Sequence, residues 1–161
     1  MKGTIFLFFG FWFLTFNGCK KNVLTINEIH ISSSVELSNH EKSPGQFISI
    51  AWSDLTGNSI DPQYRDNLQS SYESFGDEKL IEKIIVLNMM QRTEVKIPPS
   101  DSLYLFPGNF IRLSYQRFFN REPSGNELWQ LETLIKHDSA RMITPRVVWL
   151  SMMLSNEYRK F

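Results

Sequence analysis

The sequence predicts an all-α protein: a small bundle of about six helices that follows a signal peptide and a flexible tether. Three observations predict it. An apolar N-terminal run ends at the chain's single cysteine, apolar residues recur at helical spacing from about residue 47 onward, and that pattern returns after 63 residues. With 161 residues, 42% of them hydrophobic and 14% aromatic, the chain can bury the core of one ordinary domain.

Charge and cysteine content exclude several classes of protein. Seventeen basic and 17 acidic residues leave a formal net charge of zero. Counterion release, which drives non-specific binding to nucleic acid, is therefore too small to hold it, and we expect no nucleic-acid partner. A single cysteine excludes an intramolecular disulfide framework and a cysteine-rich zinc module.

Residues 1–18 have the pattern of a signal peptide. Lys2 supplies a short positive region, and the apolar run Ile5–Phe16 follows, interrupted only by Gly10 and Thr15. This run is shorter than the roughly 20 apolar residues that a membrane-spanning helix needs. It has the length of the hydrophobic part of a signal peptide, which is removed from the mature protein.

The segment Phe16–Cys19 resembles the lipobox of bacterial lipoproteins, in which a small residue precedes an invariant cysteine. The resemblance implies cleavage between Gly18 and Cys19 and attachment of a diacylglyceryl group to the cysteine sulfur. Phe16 and Asn17, the first two residues of the segment, depart from the leucine and the small residue that are usual at these positions. Two or more acyl chains, each contributing about 0.8 kcal/mol per buried methylene, make a stable anchor. An ordinary cysteine after an uncleaved anchor is the alternative interpretation.

The residues after Cys19 indicate in which membrane the protein is located and that a spacer separates the cysteine from the helical domain. Lys20, where an aspartate would retain an enterobacterial lipoprotein in the inner membrane, favours the outer membrane. We therefore expect a lipid-anchored protein of the bacterial cell envelope, with the membrane and a larger envelope protein as its partners. Residues 19–46 are predicted as a flexible tether because Ser, Asn and Glu are frequent there. Apolar residues alternate in part over Val23–Val35, so a short strand within the tether is the alternative interpretation of that stretch.

Two similar helical halves, residues 47–97 and 109–161, are predicted from the internal repeat. An ungapped offset of 63 pairs Ile48 with Ile111 and continues to pair apolar with apolar positions. Both halves also contain Leu-polar-Met-Met, at Leu87–Met90 and at Leu150–Met153. Helical periodicity by itself explains most apolar matches but not this shared pattern. A tandem duplication and chance periodicity both stay open.

In the first half, capping residues and turns divide the chain into three helices. Gln46–Leu55 precedes a Thr-Gly-Asn-Ser turn. Asp61, followed by proline at the first helical position, begins a helix through about Phe75. Gly76 ends that helix, and a third helix runs from Asp77 to Arg92. The linker, residues 98–108, contains three prolines and is predicted to be irregular.

The second half repeats this order. Asn109 can cap a helix that ends at about Asn120, because Pro123 disfavours the helical conformation of the residue before it. Ser124–Ile135 begins with a capping-box pattern and carries a stripe of leucines. A Thr-Pro pair begins the last helix, which ends at about residue 154, and Ser155–Tyr158 can add a final turn.

The second half also resembles a known helical module. The loop Phe118–Ser124 and the terminal Ser155–Tyr158 are similar to segments of phycobilisome linker domains and of domains of unknown function in bacterial surface proteins. The first half, with Asp54–Gly57, resembles the cytochrome-associated helical domains of planctomycetes and their relatives. These resemblances imply a non-enzymatic role in assembly or packing, with no cofactor.

Three side chains are candidates for binding a partner. Arg121 lies in a loop where it can reach a partner, although we favour a structural role. In that role it either caps a helix C-terminus or pairs with Glu157 and orders the two loop ends. Trp129 and Trp149 flank the same apolar faces, and one of them is a candidate interface anchor, because aromatic residues dominate binding hot spots. The two methionine pairs have helical spacing beside Val, Ile and Leu, which favours a role in the core.

No catalytic or metal-binding pattern is apparent in the sequence. The histidines His30, His40 and His137 are too far apart for a metal motif. No Gly-x-Ser-x-Gly elbow and no phosphate-binding loop occurs either. We therefore expect no catalytic residue, no metal and no cofactor. A small envelope enzyme of unrecognised type is the alternative; it would place its site around Asp54, Asp61 and Arg121.

Overall fold

The computed structural model describes residues 41–160, which form eight α-helices and no β-strand. The all-α fold class is therefore confirmed, and the described part of the chain is a small helical bundle. None of these helices combines the length and the apolar composition needed to cross a bilayer. In order, the helices are α1 Pro44–Thr56, α2 Pro62–Glu73, α3 Glu78–Met89, α4 Ser100–Leu105, α5 Pro107–Phe119, α6 Gly125–His137, α7 Pro145–Met153 and α8 Asn156–Arg159.

Helix α1 begins inside the range that the sequence predicted as tether. The Ser43 hydroxyl accepts a hydrogen bond from the Gln46 backbone N–H, and the Gln46 side chain accepts one from the Ser43 N–H. Pro44 occupies the first helical turn, where its missing N–H costs nothing. The predicted tether boundary at residue 46 is therefore corrected, because this Ser-Pro-Gly sequence is a helix start.

The linker predicted to be irregular, residues 98–108, is also corrected. It contains all of α4 and the first two residues of α5, so α5 begins three residues before Phe110, where the sequence predicted its first residue. Pro99 caps α4 and Pro107 opens α5, the positions at which a helix tolerates proline best. Leu103 is fully buried and holds α4 against the bundle. The linker prolines thus start α4, which was not predicted, and α5, which begins earlier than predicted.

The internal repeat is visible in the helices. Helices α1 and α5 begin 63 residues apart and end 63 residues apart, and α2 and α6 also begin 63 residues apart. Each first helix ends at a left-handed residue, Gly57 (φ 76°) or its equivalent Asn120 (φ 51°). Many positions at this offset are buried in both halves. Among these pairs are Phe47 and Phe110, Ile48 and Ile111, Trp52 and Tyr115, Leu55 and Phe118, Tyr72 and Ile135, Met89 and Met152, and Met90 and Met153.

The two halves share one core. Helix α1 packs on α2, α5 packs on α6, and α3 and α7 pack against each other between the halves. All four methionines of the Leu-polar-Met-Met patterns are buried, which confirms their prediction as core residues. The flexible methionine side chain fills irregular gaps well, and here it does so where the halves meet.

Candidate functional site

An open apolar cleft of about 290 Å³ lies beside α4, α5 and α7. This volume is close to the lower end of the range for small-ligand pockets, roughly 300 to 1,000 Å³. Phe106 and Leu113 are each about two-thirds exposed at its walls, at 66% and 63%. Large apolar side chains left in water beside a cavity are a usual mark of a binding surface. The apolar lining residues are Pro98, Phe106, Phe110, Leu113 and Trp149.

Trp149 forms an ordered wall of the cleft. Its indole N–H donates a hydrogen bond to the Ser114 hydroxyl at 3.0 Å, and that hydroxyl donates to the Phe110 carbonyl at 2.8 Å. The indole also packs edge-on against Phe118, with ring centroids 5.4 Å apart. Trp149 is only 4% exposed, so of the two tryptophans it is not the one available as a surface anchor. It faces the core and contributes a lining surface to the cleft.

Arg117 is the charged group of the cleft. Its guanidinium carbon lies 4.9 Å from the Trp149 ring centroid, within the range of a cation–π contact. Among residues 41–160 no carboxylate lies within 4.0 Å of this guanidinium, and the nearest electrostatic partner identified is Asp54, whose pKa the Arg117 charge lowers against the larger effect of burial. Asn109 and Ser102 add polar groups to the lining. No local sequence pattern marks Arg117, because only the fold brings it to Trp149, 32 residues further along the chain.

Arg121, by contrast, is committed to partners within the chain. Its guanidinium makes two hydrogen bonds to the Glu127 carboxylate, at 2.9 and 2.7 Å, and two to Glu157, at 2.6 and 2.9 Å. It also lies 5.0 Å from the Tyr115 ring centroid. The guanidinium lowers the pKa of Glu127 to about 2, because it stabilises the charged carboxylate. The predicted pair between Arg121 and Glu157 is confirmed, and the whole group orders the loop before α6 against α8.

Tyr158 of α8 packs on a surface of α1, the Tyr158 seat, which contains Phe47 and Asp54. Its hydroxyl donates to Asp54 Oδ2 at 2.7 Å, and its ring meets that of Phe47 edge-on, with centroids 6.1 Å apart. The Lys42 ammonium lies 3.9 Å from the Tyr158 ring centroid and donates to the Tyr158 carbonyl. Burial raises the pKa of Asp54 and lowers the pKa of Lys42. These ionisable groups therefore serve to hold α8.

The residues suggested for an enzyme site each have a separate structural partner. Asp54 accepts from Tyr158, whereas Asp61 caps α2 by accepting the Tyr64 N–H at 2.9 Å. Arg121 is held by its two glutamates. His137 is exposed, and its Nδ1 lies 2.7 Å from the Thr133 carbonyl. Within the described residues no group of His, Cys, Asp and Glu is arranged to hold a metal ion.

Trp129 remains the exposed aromatic candidate. It lies on α6 with 66% of its surface exposed, so it is available to a partner. The predicted signal-cleavage residue Gly18 and lipidation residue Cys19 lie outside residues 41–160. Comparison with known proteins adds no relative, since no family model, no curated protein and no solved structure matches the chain.

Proposed function

We propose that this chain is a lipid-anchored protein of the bacterial cell envelope that acts as a non-catalytic binding or scaffold module, an accessory subunit of a surface complex. The observation that carries the binding role is the open apolar cleft with Arg117 at Trp149. A preformed concave apolar surface with one well-placed charge is suited to recognition. The resemblance of the second half to linker domains supports the same role.

The chemistry of the cleft supports binding over catalysis. Its lining residues are apolar side chains, serine, asparagine and one arginine, with no carboxylate, histidine, thiol or lysine among them. Arginine stays protonated at all physiological pH values and cannot serve as a general base. The Ser114 hydroxyl already donates to a carbonyl and accepts from an indole, so no neighbouring base activates it.

The buried carboxylates likewise support a structural role for the charges. Glu82 is 3% exposed, accepts the Tyr72 hydroxyl hydrogen at 2.9 Å and pairs with Arg159 at 3.3 Å. Glu127 is held by Arg121. Among residues 41–160 no buried side-chain nitrogen or oxygen lacks a hydrogen-bond partner. Fully satisfied polar networks of this kind rigidify a fold, which suits a scaffold.

The anchor is tested by mass spectrometry of the first residue of the protein recovered from native membranes. We expect a diacylglyceryl-modified cysteine there, derived from Cys19. Cys19→Ser should release the chain from the membrane fraction, whereas the control Ser32→Ala should leave it attached. Recovery of the chain with its first 18 residues and an unmodified thiol would contradict the lipoprotein proposal.

The scaffold role is tested by crosslinking in those membranes, followed by capture of the chain and identification of the crosslinked protein. We expect one larger envelope protein to crosslink at surfaces beside the cleft. Arg117→Glu should weaken that crosslink, because it reverses the charge at the cleft. A crosslinking pattern that is the same in this variant would contradict a binding role for the cleft.

A further inference from the structure

Positions 63 residues apart are equivalent in α1 and α5. This equivalence relates the open cleft beside α5 to a surface of α1 that the Tyr158 side chain covers. Tyr158 packs against Phe47 and donates its hydroxyl hydrogen to Asp54, two residues on the same side of α1. At the same offset in α5 lie Phe110 and Arg117, and both line the cleft. The seat of Tyr158 is thus an occupied counterpart of the cleft within the same molecule.

The two surfaces differ in charge. Asp54 offers a carboxylate, which accepts the hydrogen of a phenol. Its equivalent Arg117 offers a guanidinium, which can only donate hydrogen bonds. The apolar ring beneath is retained, since Phe47 corresponds to Phe110 and both are buried. An occupant of the cleft therefore needs an apolar group for the wall and an anionic acceptor for the charge.

The covered counterpart also indicates that the occupant is a polypeptide. Tyr158 reaches its seat from α8, a helix of four residues. Backbone groups of this segment are bound at the same place, since the Lys42 N–H donates to the Arg159 carbonyl at 2.9 Å and the Lys42 ammonium to the Tyr158 carbonyl. Beside the cleft, the exposed Phe106 and Leu113 extend the apolar surface beyond the cavity, as a short segment requires.

We propose that the cleft binds an acidic peptide segment of a partner protein, in which one aromatic or large aliphatic side chain lies next to a carboxylate. The side chain packs between the exposed Phe106 and Leu113, above a floor that Phe110 and Trp149 form. The carboxylate pairs with Arg117. Stacking on the indole pre-orients the guanidinium, so less side-chain entropy is lost when it binds. This inference rests on the proposed binding function and names the chemistry of the partner.

The experiment uses the full chain in detergent micelles, labelled with ¹⁵N, and follows the indole N–H resonance of Trp149. The probe is a blocked five-residue peptide with one phenylalanine between two glutamates, and its twin carries lysines instead. We expect the glutamate peptide to shift this resonance and the lysine peptide to bind roughly tenfold more weakly, the effect of one charge-assisted pair.

Arg117→Glu should reverse that preference, so that the lysine peptide becomes the tighter ligand. Arg112→Glu is the matched control, because Arg112 lies on the same helix, is exposed, and makes only a 3.5 Å pair with Glu122. Equal binding of the two peptides to the unaltered chain would overturn the proposal. So would a loss of preference in the Arg112 variant as large as in the Arg117 variant.

Dodecanoate serves as the competing probe, since it also joins an apolar group to a carboxylate. Displacement of the peptide only at much higher dodecanoate concentration supports a peptide site, whereas tight capture of dodecanoate with no peptide binding overturns it. Failure of this inference is distinguishable from failure of the lipoprotein proposal. The first is measured at Trp149 with added peptide, and the second by the chemical state of Cys19.

Discussion

The hydroxyl of Tyr158 donates a hydrogen bond to Asp54 Oδ2 at 2.7 Å, which joins the last helix to the first across 104 residues. The Tyr158 side chain is fully buried between rings of both halves, Phe47 on α1 and Phe118 on α5. A contact of such long sequence separation forms only when both halves are in place. The C-terminal residues are therefore part of the domain's core.

Tyr158→Phe should lower the free energy of unfolding by about 1 to 3 kcal/mol, because it leaves the half-buried Asp54 carboxylate without its donor while the ring packing is kept. Urea unfolding at neutral pH measures this. The control is Tyr64→Phe, which removes an exposed hydroxyl contact to Asn88 and should change the stability by less than about 0.5 kcal/mol. Equal effects of the two variants would contradict a special role for the Asp54 contact.

Arg121→Ala should lower the free energy of unfolding by about 3 kcal/mol at pH 7, because Glu127, 5% exposed, then keeps a buried charge without its cation. Arg65→Ala is the control, since within the described part of the chain Arg65 pairs only with the exposed Asp66. That variant should cost less than about 1 kcal/mol. Denaturant unfolding of both variants decides this. A cost at Arg121 as small as that at Arg65 would argue against a buried network.

Stability should also fall in acid through the same network. The pKa of Glu127 is lowered from 4.5 to about 2 in the folded protein, so the unfolded chain binds a proton more readily. The stabilisation is complete above pH 4.5 and is lost as pH falls toward 2. The unfolding free energy, measured from about pH 6 down to about pH 2.5, should fall less steeply in Arg121→Ala than in the unaltered chain. An unchanged slope would show that other carboxylates dominate.

Gly57→Ala should destabilise the protein by about 1 kcal/mol. Gly57 ends α1 with a φ of 76°, where a Cβ is strained although no atom lies within 4 Å of its position. Gly76→Ala is a matched control, because its Cβ would also meet nothing within 4 Å but its φ lies outside the left-handed region. That variant should be neutral or stabilising by up to about 1 kcal/mol. Thermal unfolding of the pair separates backbone strain from packing.

Trp149→Ala should cost about 3 to 5 kcal/mol, because it removes a buried ring and the hydrogen bond to Ser114. Trp129→Ala should change stability by less than about 0.5 kcal/mol, since Trp129 is 66% exposed. Iodide quenching adds a second readout: loss of Trp129 should remove quenchable fluorescence, and loss of Trp149 should not. Similar costs for the two variants would contradict the difference in burial.

Local sequence determined most of the helices and their caps. The capping box at Ser124, the Thr144 cap and the Asp61 cap are all present as predicted, because each depends on residues within three positions of one another. Apolar periodicity likewise predicted that the segments of α1 and α5 are helical, since a helix repeats its faces every 3.6 residues. Helix α4 was missed because its three-proline surroundings indicated irregular chain, whereas burial of Leu103 stabilises it.

The pair between Arg121 and Glu157 shows how much of this group of side chains could be predicted from the sequence. Complementary charges at two loop ends predicted it, and the structure adds the third partner, Glu127. Nothing local distinguished the buried Trp149 from the exposed Trp129, because both lie on amphipathic helices beside apolar residues. Which face of a helix another helix covers is a property of the whole packing arrangement.

By itself, therefore, the sequence determined the helical class and the main caps, which follow from short-range periodicity and hydrogen bonding. It also showed the 63-residue offset of apolar positions, but left duplication and chance periodicity open. Only the tertiary structure decided that one face of α1 is covered by Tyr158 while its counterpart on α5 stays open beside Arg117. The physical reason is long-range packing: α8 covers one of two equivalent surfaces, and the charge at residue 54 or 117 distinguishes them.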